Sequence, residues 1–569
     1  MNSPATSHAP PDPRRWLALT ALLAGTLMDV IDVTIVNVAI PHLQEDLGAS
    51  YTAVQWTIAG YALTFALLLI TGGRLGDIFG RKRLFLLGIA GFTAASLLCG
   101  LAVNAPMLIA SRVAQGAMAG LMVPQVLATV HVAFPKGERA KVFGIHGAIT
   151  AVGTILGPVL GGVLVQADPF GLSWRPIFLI NLPIGLTALL IAARAMGESK
   201  AERPPRLDLI GMGLAALGLL MVIYPLTEGR SLDWPVWGFV MMAAGAAVLA
   251  VFVAHQRAKT RCDDSPLMPT GLFAARSFSG GIGVQLLITL SLSVFFLAWM
   301  LYLQIGLGYS ALRAGLAGLP FSAAVMLGAG LAMGALVPKF GRTVLQAGAV
   351  LMAVGLLLFA WQTGAAGPSI GYWQMAWPMA VLGLGMGMIV APLTDTVLTD
   401  VPARDAGSAS GVTATAGQLG SAFGAALVAV VFFGLLPGHA ANEDVTDRLR
   451  KDLAATSLTP DQTDRTVTAF TRCHRDRASR TDPGSTPAGC TAPALTSAQT
   501  DPRVADALRQ AGAQANARTY TDTVGETVLY VAGLVTAALL LMFALPREVR
   551  PSEPDADQER TPSTPVTTA

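Results

Sequence analysis

Fourteen stretches of this chain are apolar over the length of a bilayer crossing, and that leaves little for it to fold into except a helical membrane bundle. They fall at about 16–40, 51–72, 84–103, 106–130, 142–165, 175–196, 207–226, 235–254, 278–301, 313–337, 342–362, 371–397, 406–436 and 525–545. A span of about 20 apolar residues matches a hydrocarbon core about 30 Å thick, and lipid offers no partner for an unpaired backbone group. A helix satisfies those groups within itself, so each stretch reads as one helix. Only 13% of the 569 residues are charged, about half of what a soluble domain carries. The fold class expected is an all-α polytopic membrane protein.

An even number of crossings returns the chain to its starting side. Twenty-three Lys and Arg residues, from Arg14 and Arg15 to Arg560, fall on that side, and the short loops opposite hold only Arg175, Arg230 and Arg313. This bias predicts both termini in the cytoplasm of a cell-membrane protein. The polar start ending in Arg14 and Arg15 resembles the head of a signal peptide. The apolar run after it is too long and carries acids, so it reads as an uncleaved first helix. A net charge of +3 gives no case for nucleic acid as a partner, and the bilayer is the partner that composition demands. Four cysteines without a Cys-x-x-Cys or Cys/His cluster offer no metal site.

One connection is long. Residues 437–524 are polar, carry eleven Lys or Arg residues and precede the last helix. Long loops translocate whatever their charge, so this segment is expected outside the cell. Cys473 and Cys490 lie in it, on the oxidising side, and are expected to form a disulfide. With few aromatics the segment has little core to build, which makes it dispensable; the alternative is a small disulfide-pinned cap over the outer mouth. The tail 546–569 reads as disordered.

Asp29 and Asp32 stand inside the first apolar stretch. A carboxylate near the bilayer centre costs about 2.5–3.5 kcal/mol on insertion scales and is seldom kept without a use. Their i, i+3 spacing puts both on one helical face, toward the bundle. A titratable acid in a membrane helix suits proton-coupled transport; an acid bonded to a neighbouring helix for packing is the other reading.

The chain also repeats itself. GGRLGDIFGRKRLFLLG (72–88) follows helix 2, and a weaker copy, GALVPKFGRTVLQAG (334–348), follows helix 10. Helix 5 carries Gly144, Ala148, Gly157 and Gly161; helix 13 carries Gly407, Gly411, Gly420 and Gly424. A shift of eight helices means two six-helix halves with two helices inserted between them. The expected organisation is a tail (1–15), a six-helix bundle (16–197), two inserted helices (207–255), a second six-helix bundle (276–545, with loop 437–524) and a tail (546–569).

These features resemble the major facilitator superfamily, in its fourteen-helix drug:proton antiporter branch. GGRLGDIFGRKR is similar to the family's signature loop, with Gly73, Asp77, Gly80, Arg81 and Lys82 in its positions. The resemblance implies a cytoplasmic latch between the halves that gates access. LIASRVAQGAMAG on helix 4 is similar to the motif in which Arg112 acts in proton coupling by holding a nearby acid ionised. GAITAVGTILGPVLGG on helix 5 resembles the antiporter motif of exporters, through Gly153, Gly157, Pro158, Gly161 and Gly162. LMDVIDVTIVNVAIP resembles the branch's helix-1 motif, with Asp32 as the matching acid and Asp29 an addition to the pattern. The resemblance covers about residues 16–435 and the last helix.

It implies a functional monomer that exports amphipathic drugs or antibiotics by alternating access, with a proton gradient and no cofactor. A dedicated exporter of one endogenous metabolite or siderophore is the alternative within transport, and a non-transporting sensor the alternative outside it. Asn37, Gln55, Gln125, Asn181, Gln304, Asp395 and Gln418 are candidates for the substrate cavity. A lone intramembrane amide serves equally as a hydrogen bond between helices. No GxxxxGK[ST], HExxH or GxSxG occurs, so nothing points to ATP as the direct energy source or to an enzyme.

Overall fold

The computed structural model describes residues 14–200, 207–229, 232–262, 266–268, 270–398, 406–440, 443–456, 458–479, 488–491, 495 and 501–545. The tail 546–569, expected to be disordered, lies outside them. All regular structure among the described residues is helical, and fourteen helices are long and apolar enough to cross a membrane.

We label the helices in chain order. The first six are α1 (Arg15–Leu47), α2 (Tyr51–Phe79), α3 (Arg81–Gly100), α4 (Ala105–Ala133), α5 (Lys136–Ala167) and α6 (Pro176–Ala195). The inserted pair is α7 (Leu209–Glu228) and α8 (Val236–Cys262). Next come α9 (Arg276–Gly306), α10 (Ala311–Phe340), α11 (Thr343–Ala366), α12 (Tyr372–Leu398) and α13, formed by Ala406–Val430 and Phe432–His439. Two shorter helices, α14 (Glu443–Ala454) and α15 (Pro460–Ser479), precede the 41-residue α16 (Pro502–Met542).

Local chemistry sets many of the ends. Gly48 ends α1 in the left-handed conformation, its N–H on the Gln44 carbonyl. Ser50, Asn104 and Asp501 cap the first turns of α2, α4 and α16 with their side chains.

The packing repeats with the period read from the glycines. Helix α1 packs on α5 and α6, α2 on α4, and α3 on α4 and α6. Eight crossings later, α9 packs on α13 and α16, α10 on α12, and α11 on α12 and α16. The glycines make the close pairs. A side chain at Gly157 would overlap the Thr34 hydroxyl of α1, and one at Gly420 would overlap the Thr289 hydroxyl of α9. The inserted α7 and α8 pack on each other and, through Leu219 and Ile223, cover the seam where Ala62 and Leu63 of α2 meet Ala422 and Ala426 of α13.

Two expectations need correction. The segment 437–524 has a core. Val445, Leu449 and Leu453 recur at four-residue spacing on α14 and bury against Val467 of α15, Leu495, and Val504, Leu508, Ala511 and Ala515 of α16. Cys473 and Cys490 are joined, with Cα atoms 4.4 Å apart. Mean composition hid an amphipathic pattern that needs only one residue in four to be apolar. For the same reason the last helix starts at 502 rather than 525, and its first turns form a wall of this cap.

The signature segment after helix 2 is also helical. Gly73 and Asp77 belong to α2, which runs to Phe79, and the turn into α3 is Gly80 alone, at φ +111°. Only glycine accommodates that backbone without strain.

Candidate functional site: a buried ion-pair network beside a second acid

The acids of α1 meet different surroundings. Asp32 is fully buried. One carboxylate oxygen pairs with Nη1 of Arg112 on α4. The other accepts from Nε2 of Gln115 at 2.7 Å and Nδ2 of Asn181 on α6 at 3.1 Å. Ser96 of α3 accepts from the same two amides, at 2.8 and 3.2 Å. Arg112 spends its Nε on the Thr57 carbonyl of α2 at 3.1 Å and shares Nη1 with the Gln115 side-chain oxygen at 2.6 Å. Five helices thus contribute to one network. The guanidinium fork lets one cation bind a carboxylate, an amide and a carbonyl together, as a buried charge requires.

Asp29 has one partner in that surround. The Tyr61 hydroxyl of α2 donates to it at 2.5 Å. The Tyr61 ring lies 4.2 Å from the Arg112 guanidinium carbon, a cation–π contact that fixes the phenol between the two acids. Neither Tyr61 nor Ser96 is marked by an intrahelical pattern, so only the packing of α2 and α3 on α1, α4 and α6 brings them here.

The gating residues form a cluster within the first bundle. Asp77 and Arg81 pair at 2.8 Å across the Gly80 turn. The Arg81 N–H donates to the Ser199 carbonyl at 3.0 Å, and the Lys82 N–H to Glu198 at 3.2 Å. The Lys82 ammonium caps the end of α6 at the Ala193 carbonyl, 2.8 Å away. These bonds fasten the turn to the end of α6. Among the described residues the partners of this cluster lie in the same half, where Glu198 supplies an acid. Arg74 of α2 does reach beyond the bundle, to the Pro266 carbonyl after α8.

The helix-5 glycines lie where the halves touch. Gly153, Gly157 and Gly161 face α1, against Val30, Thr34 and Ile35. Gly162 lies against the backbone of Leu312 on α10, and Gly315 of α10 against the Pro158 carbonyl. Pro158, with no N–H of its own, frees a carbonyl one turn back and bends the helix there. At the same end the Tyr51 ring packs against Phe433, tilted by 41° with centroids 4.3 Å apart, and its hydroxyl lies 3.4 Å from that of Tyr520.

The cavity candidates scatter. Gln125 is buried and donates to the Gly72 and Leu121 carbonyls at 2.8 and 3.0 Å, tying α4 to α2. Asn181 belongs to the Asp32 network. Gln55 and Gln304 are buried in helix packing, Asn37 and Gln418 are part-exposed, and the side chain of Asp395 lies outside the described residues. The six described candidates do not line the cavity of about 460 Å³ beneath the cap, whose walls include Pro41, Gln44, Tyr51, His474 and Tyr520. One helix's periodicity does not say which neighbour an amide will meet. Phe295 and Trp299 are core, and Trp56 pins α2 to α7 through Glu228 at 3.1 Å. Among the described residues, no group of three or more His, Cys, Asp and Glu side chains comes together as a metal site.

Two six-helix halves around intramembrane charges define a polytopic transporter. The chain belongs to the Major Facilitator Superfamily, whose model matches residues 22–425. It is 40% identical to the probable actinorhodin transporter of Streptomyces coelicolor, over 96% of this chain and 94% of that protein. It is 35% identical to the puromycin resistance protein of Streptomyces alboniger, over 76% and 84%. With the tetracenomycin C resistance and export protein of Streptomyces glaucescens it shares 33% identity, over 74% and 76%. Among solved structures, a bacterial homolog of the human lysosomal transporter Spinster, in an inward-facing and unoccupied conformation, superimposes with a TM-score of 0.58. The match covers 94% of this chain and 98% of that one at 16% identity, which is a likeness of fold.

Proposed function

We propose that the protein exports amphipathic, antibiotic-like small molecules across the cell membrane in exchange for protons, both termini being cytoplasmic. The observation that carries this is the charge count inside the bundle: two carboxylates, Asp29 and Asp32, face one cation, Arg112. A buried carboxylate without a counter-cation is held at high cost, and a proton or a cationic substrate relieves it. The similarity to proteins named for resistance to or export of antibiotics supports the direction and the substrate class. One proton moving down 100 mV and one pH unit yields about 3.7 kcal/mol, enough for about a 500-fold gradient of a neutral solute.

Alternating access fits the contacts between halves. Pro158 against Gly315, Gly162 against Leu312, and Tyr51 against Phe433 lie at the cap end, where a rocking motion would break them. We read the chain as a monomeric transporter without cofactor, and as no enzyme. A second reading, export of one endogenous metabolite, is favoured by the several relatives named for a single antibiotic.

Expression in an efflux-deficient host against a panel of antibiotics and cationic dyes tests the breadth. Inverted vesicles test the coupling: accumulation of an exported compound should collapse on adding a protonophore. Accumulation that survives the protonophore would refute proton drive.

A further inference from the structure

We propose that Asp29, the acid outside the helix-1 motif, carries the exchanged proton, while Asp32 is the fixed counter-ion of Arg112. This deepens the proton-coupled reading above and rests on it. The three charges divide unequally. Arg112 pairs with Asp32, and Gln115 and Asn181 complete that carboxylate with two amide donors. Protonating Asp32 would break the direct pair with Arg112 and set an O–H against amide donors already in place. Protonating either acid brings the three charges to neutrality, but only protonation of Asp29 leaves the Arg112–Asp32 pair intact.

Access separates them as well. Asp32 is 0% exposed and Asp29 8%. Asp29, Val33 and Asn37 stand at i, i+4 and i+8, so they form one strip of α1. Val33, in the middle of that strip, is 36% exposed, although Ile31, Asp32, Ile35 and Val36 around it are buried. Val33 and Asn37 lie on a part-exposed side of α1, and Asp29, itself buried, is the acid one turn from Val33. Asp32 instead points into the wall formed by α3, α4 and α6. The charged or titratable groups around Asp29 are Asp32 on its own helix, Tyr61 on α2 and Arg112 on α4, with Cys99 of α3 behind them. Helix α5 meets this level of α1 with Gly153, against Leu27 and Val30. Tyr61 donates to the ionised carboxylate and also fits the protonated one, because its hydroxyl can turn to accept. Proton entry therefore needs no rebuilding of the Arg112 network.

Dicyclohexylcarbodiimide forms a stable adduct with protonated carboxyls in apolar surroundings, and needs no substrate. The full-length protein in nanodiscs, treated between pH 6 and 8 and mapped by mass spectrometry, should carry the adduct on Asp29, declining as pH rises, with Asp32 clear. In proteoliposomes, with puromycin and ethidium as probes, Asp29→Asn should bring the uphill accumulation ratio to 1 while downhill movement of puromycin stays measurable. Asp32→Asn should lower the melting temperature and lose both modes together. An adduct on Asp32 with Asp29 clear, or uphill transport surviving Asp29→Asn, overturns the assignment. If the parent moves the probes without protons, the coupling reading fails on its own, and the adduct map still decides which acid takes up a proton.

Discussion

Tyr61 stands between two charges: its hydroxyl donates to Asp29 at 2.5 Å, and its ring lies 4.2 Å from the guanidinium carbon of Arg112. One phenol on α2 thereby couples the unpaired acid of α1 to the ion pair behind it. The distances also say which substitutions break structure and which break only the exchange.

Removing Arg112 should be the most damaging change to stability. Arg112→Ala leaves Asp32 buried with only amide donors, and breaking a buried pair from one side costs about 3–5 kcal/mol. Arg112→Lys keeps the charge but loses the fork that holds Asp32, Gln115 and Thr57 together. Melting curves in detergent should fall in the order parent, Arg112→Lys, Arg112→Ala. The double change Arg112→Met with Asp32→Leu should recover much of the stability and none of the transport.

The glycines of α5 should rank by what a methyl group would strike. At Gly162 it meets the backbone of Leu312, 2.5 Å from its Cα, and backbone cannot step aside. At Gly153 it meets the side chains of Val30 and Leu27 at 3.0–3.2 Å. Gly162→Ala should therefore hinder closure at the cap end and cut turnover at least tenfold, while Gly153→Ala should cost less than threefold. Transport rates at saturating substrate, with expression matched, check the order.

At the Gly80 turn, position and backbone argue together. Gly80→Ala would strain a φ of +111° and press on the Glu198 carboxylate, a loss of about 1–3 kcal/mol. Asp77→Asn leaves the turn but removes the charge facing Arg81. It should slow turnover and leave substrate affinity unchanged, since the cluster lies at the end of the bundle away from the cap. Equilibrium binding beside transport rates distinguishes the two effects.

The cap should loosen in acid. Burial pushes the His474 imidazole down to about 4, and the charge of Arg477 adds to this. The unfolded ring titrates near 6.5. The unfolded cap therefore binds the extra proton between those values, and stability is present above about pH 6.5 and lost as pH falls toward 4. Reduction of the Cys473–Cys490 bond by a phosphine should be faster at pH 5 than at pH 7.5, and His474→Gln should remove most of that difference. Deleting 443–500 would expose Val504 and Leu508 of α16, which the cap now buries, and should impair export or membrane assembly. Normal export by that deletion variant would show the cap to be dispensable.

The fourteen helices and the repeat that matches α5 with α13 were legible because each is written within a segment or at a fixed offset. Asp32 and Arg112 stood out for the same reason: a charge in an apolar run is visible without knowing its neighbour. The cap stood only as the second reading because a mean over 88 residues erased the Val445, Leu449, Leu453 spacing. The bonds of Gln125 to α2 and of Asn181 to Asp32 were not legible, because an amide's partner lies on another helix.

The sequence by itself determined how many times the chain crosses the membrane, where its halves repeat and which charges lie inside, because apolar length and charge are properties of single segments. Only the tertiary structure decided that Arg112 takes Asp32 rather than Asp29, and that Glu198 rather than the second half holds the Gly80 turn. Two acids one helical turn apart are equivalent on paper. Their difference comes from the donors that α4 and α6 bring to Asp32, while Asp29 receives only the Tyr61 hydroxyl of α2.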